Sequence, residues 1–365
     1  MIFETTVEKI LNALENANRI TNKNSSLPIL GNILFLVSKN ILKIRATNLS
    51  IGVEFEVGVK GEADGVLAID GKTISTFLNT IKKTEKIKFS QQNTNLQITT
   101  QNNKTTLKTF PYEDFPTLPI ITGPEFKIPK KSFIQGVHST IFASAVSDIK
   151  PEIASVCLIS EGNTINFVAT DSFRLAEKKE NLQKNINFPT VVIPNKNILE
   201  IAKIIEGYED DIKVIVNDNQ ITFNIPGVYI TSRIISGAFP DYKQILPKEF
   251  TTEVIVLKQD LLNSLKSANI FSDKFNQITI SISKNKKKFE CISKNNDVGE
   301  FNGEIDSTIK GEDVSVSLNH KYLLDSLQVI PQDSIFIGLN GPTKAIVIKG
   351  ISDNSFLYLL QPMNR

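Results

Sequence analysis

Apolar residues recur at helical spacing in six segments of the chain. The first segment, VEKILNALENAN from Val7, places Ile10, Leu11 and Leu14 on one face of a helix. The same spacing of three or four residues occurs in KKSFIQGVHST, LKQDLLNSLKSA, GKTISTFLNTI, NKNILEIAKII and NHKYLLDSLQVI. We therefore predict six helices.

Between these helices the pattern changes to strict alternation of apolar and polar residues. ILKIRAT, KIKFS, TINFVAT, DIKVIVN, QITISIS and KAIVIKG all alternate in this way. Alternation with a period of two predicts short antiparallel strands with one buried face. Turn-forming residues such as Glu161-Gly162-Asn163 separate the runs. Each third of the chain is predicted to hold two helices and about eight strands, in the order β-α-β-β-β written twice.

The sequence repeats itself with a period near 123 residues. Thr47, Thr170 and Ser293 are each 123 residues apart. Glu54, Glu177 and Glu300 have the same separation, although the alternation of apolar residues in the third copy is shifted by one residue before Ser293. Repetition at a fixed period indicates duplicated structural units, here about 122 residues long.

Two proline-rich stretches interrupt both periodicities and mark the joints between repeats. They run from residue 115 to 124 and from 239 to 250. We therefore expect three domains, at residues 1–120, 125–247 and 248–365. The predicted fold class is α+β, with two helices packed on antiparallel sheets in each domain.

Composition excludes several classes of protein. The 365 residues carry 41 Lys+Arg against 39 Asp+Glu, so net charge neither requires nor excludes a nucleic-acid partner. Cys157 and Cys291 are far apart, and His138 and His320 stand alone, so we expect no metal site and no cofactor. The charged N-terminal segment does not resemble a signal peptide, and no apolar run is long enough to span a membrane. We expect a soluble, cytoplasmic protein without a membrane partner.

Two segments resemble enzyme motifs, but both have a structural interpretation. GVLAIDGKT has five residues between Gly65 and the pair Gly71-Lys72, whereas a phosphate-binding loop needs four. Asp171 lies between two hydroxyl residues, where a carboxylate more often forms a turn than acts as an acid or base. We therefore predict no catalytic residues. The alternative hypothesis is a monomeric repeat enzyme or nucleotide-dependent regulator that uses Asp171 or the Lys72 region.

Basic residues lie on or beside all six predicted helices, and two interpretations stay open. They form ordinary solvated faces, or they turn toward a polyanion. These residues are Arg19, Lys23, Lys72, Lys82, Lys83, Lys130, Lys131, Lys196, Lys203, Lys258, Lys266 and Lys321. The C-terminal segment also has two interpretations. Phe356–Leu360 and the following Pro362-Met363 pair form a plain closing strand, or the Pro-Met pair forms a hydrophobic binding rim.

Four stretches, spread in order over the chain, resemble the bacterial sliding clamp family, the β subunit of DNA polymerase III. They are SLPILGNILF from Ser26, ATDSFRLAE from Ala169, GAFPDYKQILP from Gly237 and the terminal QPMNR. The resemblance implies two subunits that form a six-domain ring around duplex DNA. It also implies a processivity factor without enzymatic activity. The implied partners are double-stranded DNA bound without sequence preference, the DNA polymerase III α subunit, a clamp loader and other clamp-motif proteins.

The resemblance also implies positions for three kinds of site. A partner-peptide pocket would involve Ile153, Thr170, Phe173, Arg174, Leu175, Pro240, Gln244, Ile245, Asn319, Tyr322, Leu359, Pro362 and Met363. DNA would meet Lys23, Asn24, Lys72, Lys150 and Lys196, and the dimer interface would join Thr105 and Leu107 to Ile270 and Phe271. The sequence departs from the family pattern at Ser172-Phe173, Gln244, Gln361 and Thr105.

Overall fold

The computed structural model describes residues 1–21, 27–284 and 288–363. Six α-helices and 26 strands lie within this part of the chain, and all strand pairs described there are antiparallel. The predicted helices and the alternation of strands are therefore confirmed.

The first third of the chain contains nine strands and two helices. In chain order they are β1 (Ile2–Thr6), α1 (Val7–Ile20), β2 (Asn32–Ser38), β3 (Ile41–Thr47), β4 (Ile51–Gly58), β5 (Lys60–Ala63), β6 (Gly65–Asp70), α2 (Gly71–Asn79), β7 (Lys86–Gln92), β8 (Asn95–Thr99) and β9 (Lys104–Phe110).

The second third follows the predicted order, β-α-β-β-β written twice. Its elements are β10 (Phe126–Ile128), α3 (Lys130–Thr140), β11 (Ser155–Glu161), β12 (Thr164–Thr170), β13 (Arg174–Asn181), β14 (Val191–Pro194), α4 (Asn195–Glu206), β15 (Ile212–Val216), β16 (Gln220–Ile225) and β17 (Val228–Arg233).

The last third has one extra strand, β22, at the place where the first third has β5. Its elements are β18 (Thr252–Leu257), α5 (Lys258–Ile270), β19 (Gln277–Ser283), β20 (Lys288–Asn295), β21 (Gly299–Ile305), β22 (Ser307–Gly311), β23 (Val314–Asn319), α6 (His320–Val329), β24 (Ser334–Leu339), β25 (Ile346–Gly350) and β26 (Phe356–Leu360).

The helices form where an apolar stripe coincides with a suitable start. In α1, Ile10 and Leu14 are fully buried, as their spacing predicts. Helix α2 starts at a side-chain cap, because Asp70 Oδ1 accepts a hydrogen bond of 2.7 Å from Thr73 N. At α6 the cap is Asn319, whose side chain accepts from Lys321 N.

The chain folds into two compact units, and neither corresponds to one repeat. The first combines Met1–Lys131 with Lys196–Ser236 and contains a 13-stranded sheet in the order β10-β15-β16-β17-β4-β3-β2-β6-β9-β8-β7-β1-β5. The second combines Ser132–Asn195 with Gly237–Arg365. It contains a nine-stranded sheet, β14-β11-β12-β13-β26-β25-β24-β18-β22, and a four-stranded sheet, β21-β20-β19-β23. The expected boundaries at 1–120, 125–247 and 248–365 stay a prediction.

Each unit contains one joint between consecutive repeats, made by the same kind of strand pairing. In the first unit, β17 of the second repeat pairs with β4 of the first, and Ile230 lies opposite Val53. In the second unit, β26 of the third repeat pairs with β13 of the second, and Tyr358 lies opposite Ala176. The last strand of one repeat thus completes the sheet of the repeat before it.

The turns at Thr47 and Thr170 have the same hydrogen bonds. Thr47 Oγ1 donates to Ile51 O over 2.9 Å, and Thr170 Oγ1 donates to Arg174 O over 2.7 Å. In both turns the threonine oxygen also accepts from the backbone N–H two residues later. The side chain of the next residue, Asn48 or Asp171, accepts hydrogen bonds from two further backbone N–H groups. The sequence repeat therefore reflects a repeated local structure.

The third repeat departs from this arrangement, and Glu300 is not the structural counterpart of Glu54 and Glu177. Glu54 pairs with Arg45 and Glu177 with Val168, two residues before the turn threonine in each case. Glu300 instead pairs with Lys294, one residue after Ser293. The hairpin is longer here: Ser293 is buried in the place of Ala46, and seven residues separate it from its partner Phe301, whereas six separate Ala46 from its partner Val53. A constant sequence offset cannot register such an insertion.

Candidate functional site

A cavity of about 630 Å³ in the second unit brings together five residues of the predicted partner-peptide pocket. These are Phe173, Asn319, Tyr322, Pro362 and Met363, and the cavity is also lined by Ser172, Phe275, Thr343 and Gln361. The ring of Phe173 is 62% exposed, so it presents an apolar surface to solvent. A concave site with several apolar and aromatic side chains suits an apolar ligand group.

Arg174 lies buried next to this cavity and is held on three sides. Its Nε donates to Asp171 Oδ2 over 2.9 Å, and its Nη1 donates to Asp325 Oδ2 over 2.6 Å. Its guanidinium also stacks on Tyr322, 4.1 Å from the ring centroid. Burial acts to lower the pKa of Arg174, but the bonds to Asp325 and Asp171 outweigh it and the pKa is raised. The guanidinium therefore stays charged and fixes one wall of the cavity.

Asp171 has the structural role that the sequence favoured. Its Oδ1 accepts hydrogen bonds from the backbone N–H groups of Phe173 and Arg174, and its Oδ2 accepts from the Arg174 side chain. Both carboxylate oxygens are therefore used inside the turn. Ser172 has a φ of 77°, a left-handed conformation that favours glycine.

Four further predicted pocket residues form the buried layer beside the cavity. Leu175 and Leu359 lie opposite each other on β13 and β26 and are almost completely buried. Thr170 and Ile153 are also buried. None of the four lines the cavity, and Leu175 and Leu359 belong to the strand pair at this joint.

Pro240, Gln244 and Ile245 are not brought to the cavity wall. All three are exposed, and Ile245 is 52% exposed. Gln244, in the short 3₁₀ helix Tyr242–Ile245, donates from Nε2 to Oδ2 of the preceding Asp241 over 2.6 Å. These three residues are exposed on the linker between the second and third repeats.

Sequence reasoning missed Phe275 and Thr343 as lining residues. Phe275 is 58% exposed at the end of the α5–β19 turn, and Lys274 Nζ lies 5.1 Å from the centroid of its ring. An aromatic residue in the polar stretch FSDKFNQ was the available signal. Thr343 lies in an irregular loop and carried no signal, because only tertiary packing brings it to the cavity.

The predicted interface residues lie at the edges of two strands. Thr105 and Leu107 are on β9, and Ile270 and Phe271 lie beside β21. Thr105 and Leu107 are half-buried on β9, which pairs with β8 along its length and with β6 only at Thr109 and Phe110. At the other end of the chain, β21 pairs with β20 and is the outer strand of its sheet. Ile270 is 66% exposed, and the Phe271 ring stacks on Phe301 of β21 with centroids 6.4 Å apart.

The predicted DNA-binding residues that the structure describes are all exposed. Lys72 is on α2, Lys196 is on α4, and Lys150 is in the loop before β11. Lys23 and Asn24 lie outside the described residues. Some basic residues near the helices form ion pairs, such as Arg19 and Lys203, which both contact Glu200. The basic residues near the helices therefore differ in how much charge they leave available to a polyanion.

The Lys72 segment is a strand followed by a capped helix. Residues Gly65–Asp70 form β6, and Asp70 caps α2 through its side chain. A carboxylate at this helix start occupies the N–H groups that a phosphate would need. The alternative hypothesis of an enzyme or regulator using Asp171 or Lys72 is not supported.

Within residues 1–21, 27–284 and 288–363, no group of three or more His, Cys, Asp or Glu side chains could hold a metal ion. Over the same residues, no helix is long and apolar enough to cross a membrane.

Three sequence families match consecutive parts of the chain. The N-terminal domain of the DNA polymerase III beta subunit matches residues 1–119, the central domain matches 127–241, and the C-terminal domain matches 243–364. The chain belongs to the DNA polymerase III beta subunit family. Its three repeats are therefore three clamp domains, and the predicted fold class is confirmed. Beta sliding clamps are non-catalytic processivity factors, so the expectation that the chain is not an enzyme is also confirmed.

Known relatives cover nearly the whole chain at low identity. The beta sliding clamp of Buchnera aphidicola subsp. Rhopalosiphum padi is 27% identical over 361 residues, 96% of this chain and 97% of the relative. That of Escherichia coli K12 is 24% identical over 368 residues and covers both chains fully.

Solved structures agree in fold. The DNA polymerase III beta subunit of Pseudomonas aeruginosa aligns over 100% of both chains with a TM-score of 0.95 and 23% identity. That of Thermotoga maritima aligns over 100% of this chain and 99% of its own, with a TM-score of 0.94 and 24% identity. A second Pseudomonas aeruginosa structure is of a sliding clamp bound to griselimycin.

Proposed function

We propose that two copies of this chain close into a ring around duplex DNA and tether the replicative polymerase and other partners through the cavity at Tyr322 and Met363. One observation carries the proposal. Both internal joints use the same strand pairing, and within the described residues β9 and β21 are the two corresponding strands that lack such a partner. Pairing β9 of one copy with β21 of a second copy would satisfy both edges, and repetition of this contact would close a cyclic assembly.

The two joints also predict the register of that pairing. Thr105 pairs with Ile98 across the β8–β9 hairpin, just as Ile230 pairs with Phe223 and Tyr358 with Ile348. Thr105 is thus the counterpart of Ile230 and Tyr358, the joint residues named above.

On β21 the counterpart of Val53 and Ala176 is Phe301. Val53 and Ala176 face the helices of their repeats. Phe301 and Gly303 of β21 likewise face α5, because a Cβ added at Gly303 would lie 3.0 Å from Ser264 Oγ on that helix. Thr105 of one copy should therefore lie opposite Phe301 of the second copy. This places Thr105 beside the stacked Phe271 ring, as expected for the predicted interface.

The outer faces of the two edges carry opposite charges. Lys104 and Lys108 are exposed on β9, and Glu300 and Glu304 are exposed on β21. Cross-strand pairs of opposite charge favour one partner and one register over others.

Cysteine cross-linking tests this register. Because the pairing is antiparallel, Thr106, the residue after Thr105, should lie opposite Glu300 of the second copy. A chain with Thr106→Cys and Glu300→Cys should therefore form interchain disulfides under mild oxidation. The matched control combines Thr106→Cys with Glu304→Cys, which lies four residues along the strand and out of disulfide reach. The native Cys157 and Cys291 are buried, and burial raises their pKa to about 12 and about 11, so neither competes. Cross-linking of the control but not the test pair would contradict the register.

The ring mechanism explains why sequence-independent contacts suffice. Exposed lysines such as Lys72, Lys150 and Lys196 would attract phosphates weakly, and the closed ring would keep the protein on DNA while it slides. We also propose that Lys23 and Asn24 take part. Such a protein works in the cytoplasm at the nucleoid and needs no membrane partner.

The cavity at Tyr322 and Met363 is proposed to bind short peptides of the DNA polymerase III α subunit, the clamp loader and other clamp-motif proteins. Its apolar walls would receive Leu and Phe side chains. Deleting residues 362–365 removes Pro362 and Met363 from the wall and should abolish binding of a polymerase-derived peptide while the dimer stays intact. Unchanged peptide affinity would remove the cavity from the proposal without affecting the ring.

A further inference from the structure

Two exposed lysines lie directly beside residues that line the cavity. Lys274 precedes Phe275, and Lys344 follows Thr343. Both lysine side chains are exposed, and Lys274 Nζ stays near the Phe275 ring, 5.1 Å from its centroid. The two ammonium groups come from different loops that meet at the same cavity.

The carboxylates near the cavity already accept hydrogen bonds from other groups of the chain. Asp171 and Asp325 bind Arg174, as described above. Asp273 Oδ1 accepts from the backbone N–H groups of Phe275 and Gln277, at 2.9 and 3.0 Å. In the described part of the chain, no carboxylate oxygen lies within ion-pair distance of Lys274 or Lys344. Among the described residues, Lys274 and Lys344 are therefore exposed cations without a carboxylate partner, whereas Asp273, on the same loop as Lys274, is half-buried and bonded to its own turn.

We infer that the cavity takes peptides whose apolar anchor residues are flanked by Asp or Glu. This inference rests on the proposed function of the cavity as a peptide site and names the chemistry of its ligands. The anchors would bury against Phe173, Tyr322 and Met363, and the acidic flanks would meet Lys274 and Lys344 at the rim. Both lysines stay partly hydrated, so the pairing avoids the desolvation cost of a buried ion pair. Its contribution depends on salt.

The lining favours a peptide over nucleic acid as the ligand of these lysines. A phosphate backbone needs cations along a track, whereas here two cations flank a single concave site whose lining includes aromatic, Pro and Met side chains. Nucleic-acid binding by Lys274 and Lys344 is thus the competing outcome in the test.

The test uses the full-length chain and two fluorescent peptides of equal length with the same Leu and Phe anchors. One carries Asp and Glu flanks, and the other carries Asn and Gln. Affinities are measured by fluorescence polarisation at low and high salt for the wild type, for Lys274→Gln with Lys344→Gln, and for the control Lys310→Gln. Lys310 is in the same unit, on β22, and its side chain is 82% exposed.

We expect the acidic peptide to bind the wild type about three to ten times more tightly than the neutral one at low salt. The preference should shrink at high salt and disappear in the double variant, while the neutral peptide binds both proteins equally and Lys310→Gln changes nothing. Equal affinity for the two peptides, or a preference that survives in the double variant, would overturn the inference while leaving the pocket intact. Loss of DNA retention in the double variant with peptide preference unchanged would assign these lysines to nucleic acid and also overturn it. Failure of both peptides to bind the wild type would instead contradict the proposed function of the cavity.

Discussion

The guanidinium of Arg174 lies 4.1 Å from the centroid of the Tyr322 ring. Arg174 is only 8% exposed, whereas Tyr322 lines the cavity. The orientation of a half-buried cavity residue thus depends on a buried cation, which Asp171 and Asp325 hold in place. This arrangement joins the second repeat to α6 of the third at the candidate site.

Asp325→Asn should weaken peptide binding by about three- to tenfold. The change removes the charge partner on α6, so Arg174 loses one of its two carboxylates and holds Tyr322 less firmly. Fluorescence polarisation with a polymerase-derived peptide measures the effect, and Asp297→Asn, at an exposed turn residue, is the control. Peptide affinity that is the same in both variants would show that this ion pair does not position the ring.

Ser172→Gly should stabilise the protein. Ser172 has a φ of 77°, which a residue with a β-carbon adopts only with strain, and glycine removes that strain for a net gain of about 0.5 to 1 kcal/mol. The control is Ser172→Ala, which keeps the β-carbon. Differential scanning calorimetry should show a melting temperature about 1 to 3 °C higher for the Gly variant than for the Ala variant. A lower value for the Gly variant would contradict the prediction.

Stability should fall in acid partly because of Glu54. Burial acts to raise the pKa of Glu54, but hydrogen bonds from Lys43 and Arg45 outweigh it, so the pKa is lowered in the folded state. A carboxyl group with a depressed pKa stabilises the fold above its unfolded pKa, and this contribution is lost as pH falls through the folded pKa. Urea unfolding between pH 7 and pH 3 should show a smaller loss of stability for Glu54→Gln than for the wild type. Parallel curves would argue against this role.

Removing charge from the predicted DNA residues should weaken retention on DNA more than removing the same charge elsewhere. The test variant carries Lys72→Gln, Lys150→Gln and Lys196→Gln. The control carries Lys60→Gln, Lys127→Gln and Lys310→Gln, three exposed lysines on strands β5, β10 and β22. The slope of log affinity against log salt should fall by up to about 0.9 for each lost phosphate contact in the test variant only. Equal loss in both variants would mean that overall charge governs DNA binding.

Helices, strands and the main turn were predictable because their signals are local. The stripe of Ile10 and Leu14 predicts α1, and the Thr47 and Thr170 turns form the same hydrogen bonds from the same residue types. Asp171 could be interpreted correctly as a turn residue for the same reason. Periodicity and turn chemistry act over a few residues, so one sequence carries them.

The features that the sequence did not predict depend on contacts between residues that are far apart in the chain. The longer hairpin of the third repeat changes the counterpart of Glu54, which a fixed offset could not show. The pairing of β17 with β4 and of β26 with β13 divides the second repeat between two compact units. Likewise Phe275 and Thr343 reach the cavity only through the packing of loops that lie far apart in sequence.

Retention on DNA of different topology tests the ring most directly. The protein is assembled by a clamp loader on a nicked circular duplex, and the complex is separated from free protein by gel filtration at 0.5 M salt, which screens phosphate contacts. We predict that the protein stays on the circle and is lost when the same DNA is cut once to a linear form. Equal retention on both forms, or equal loss from both, would contradict a closed ring that encircles the duplex.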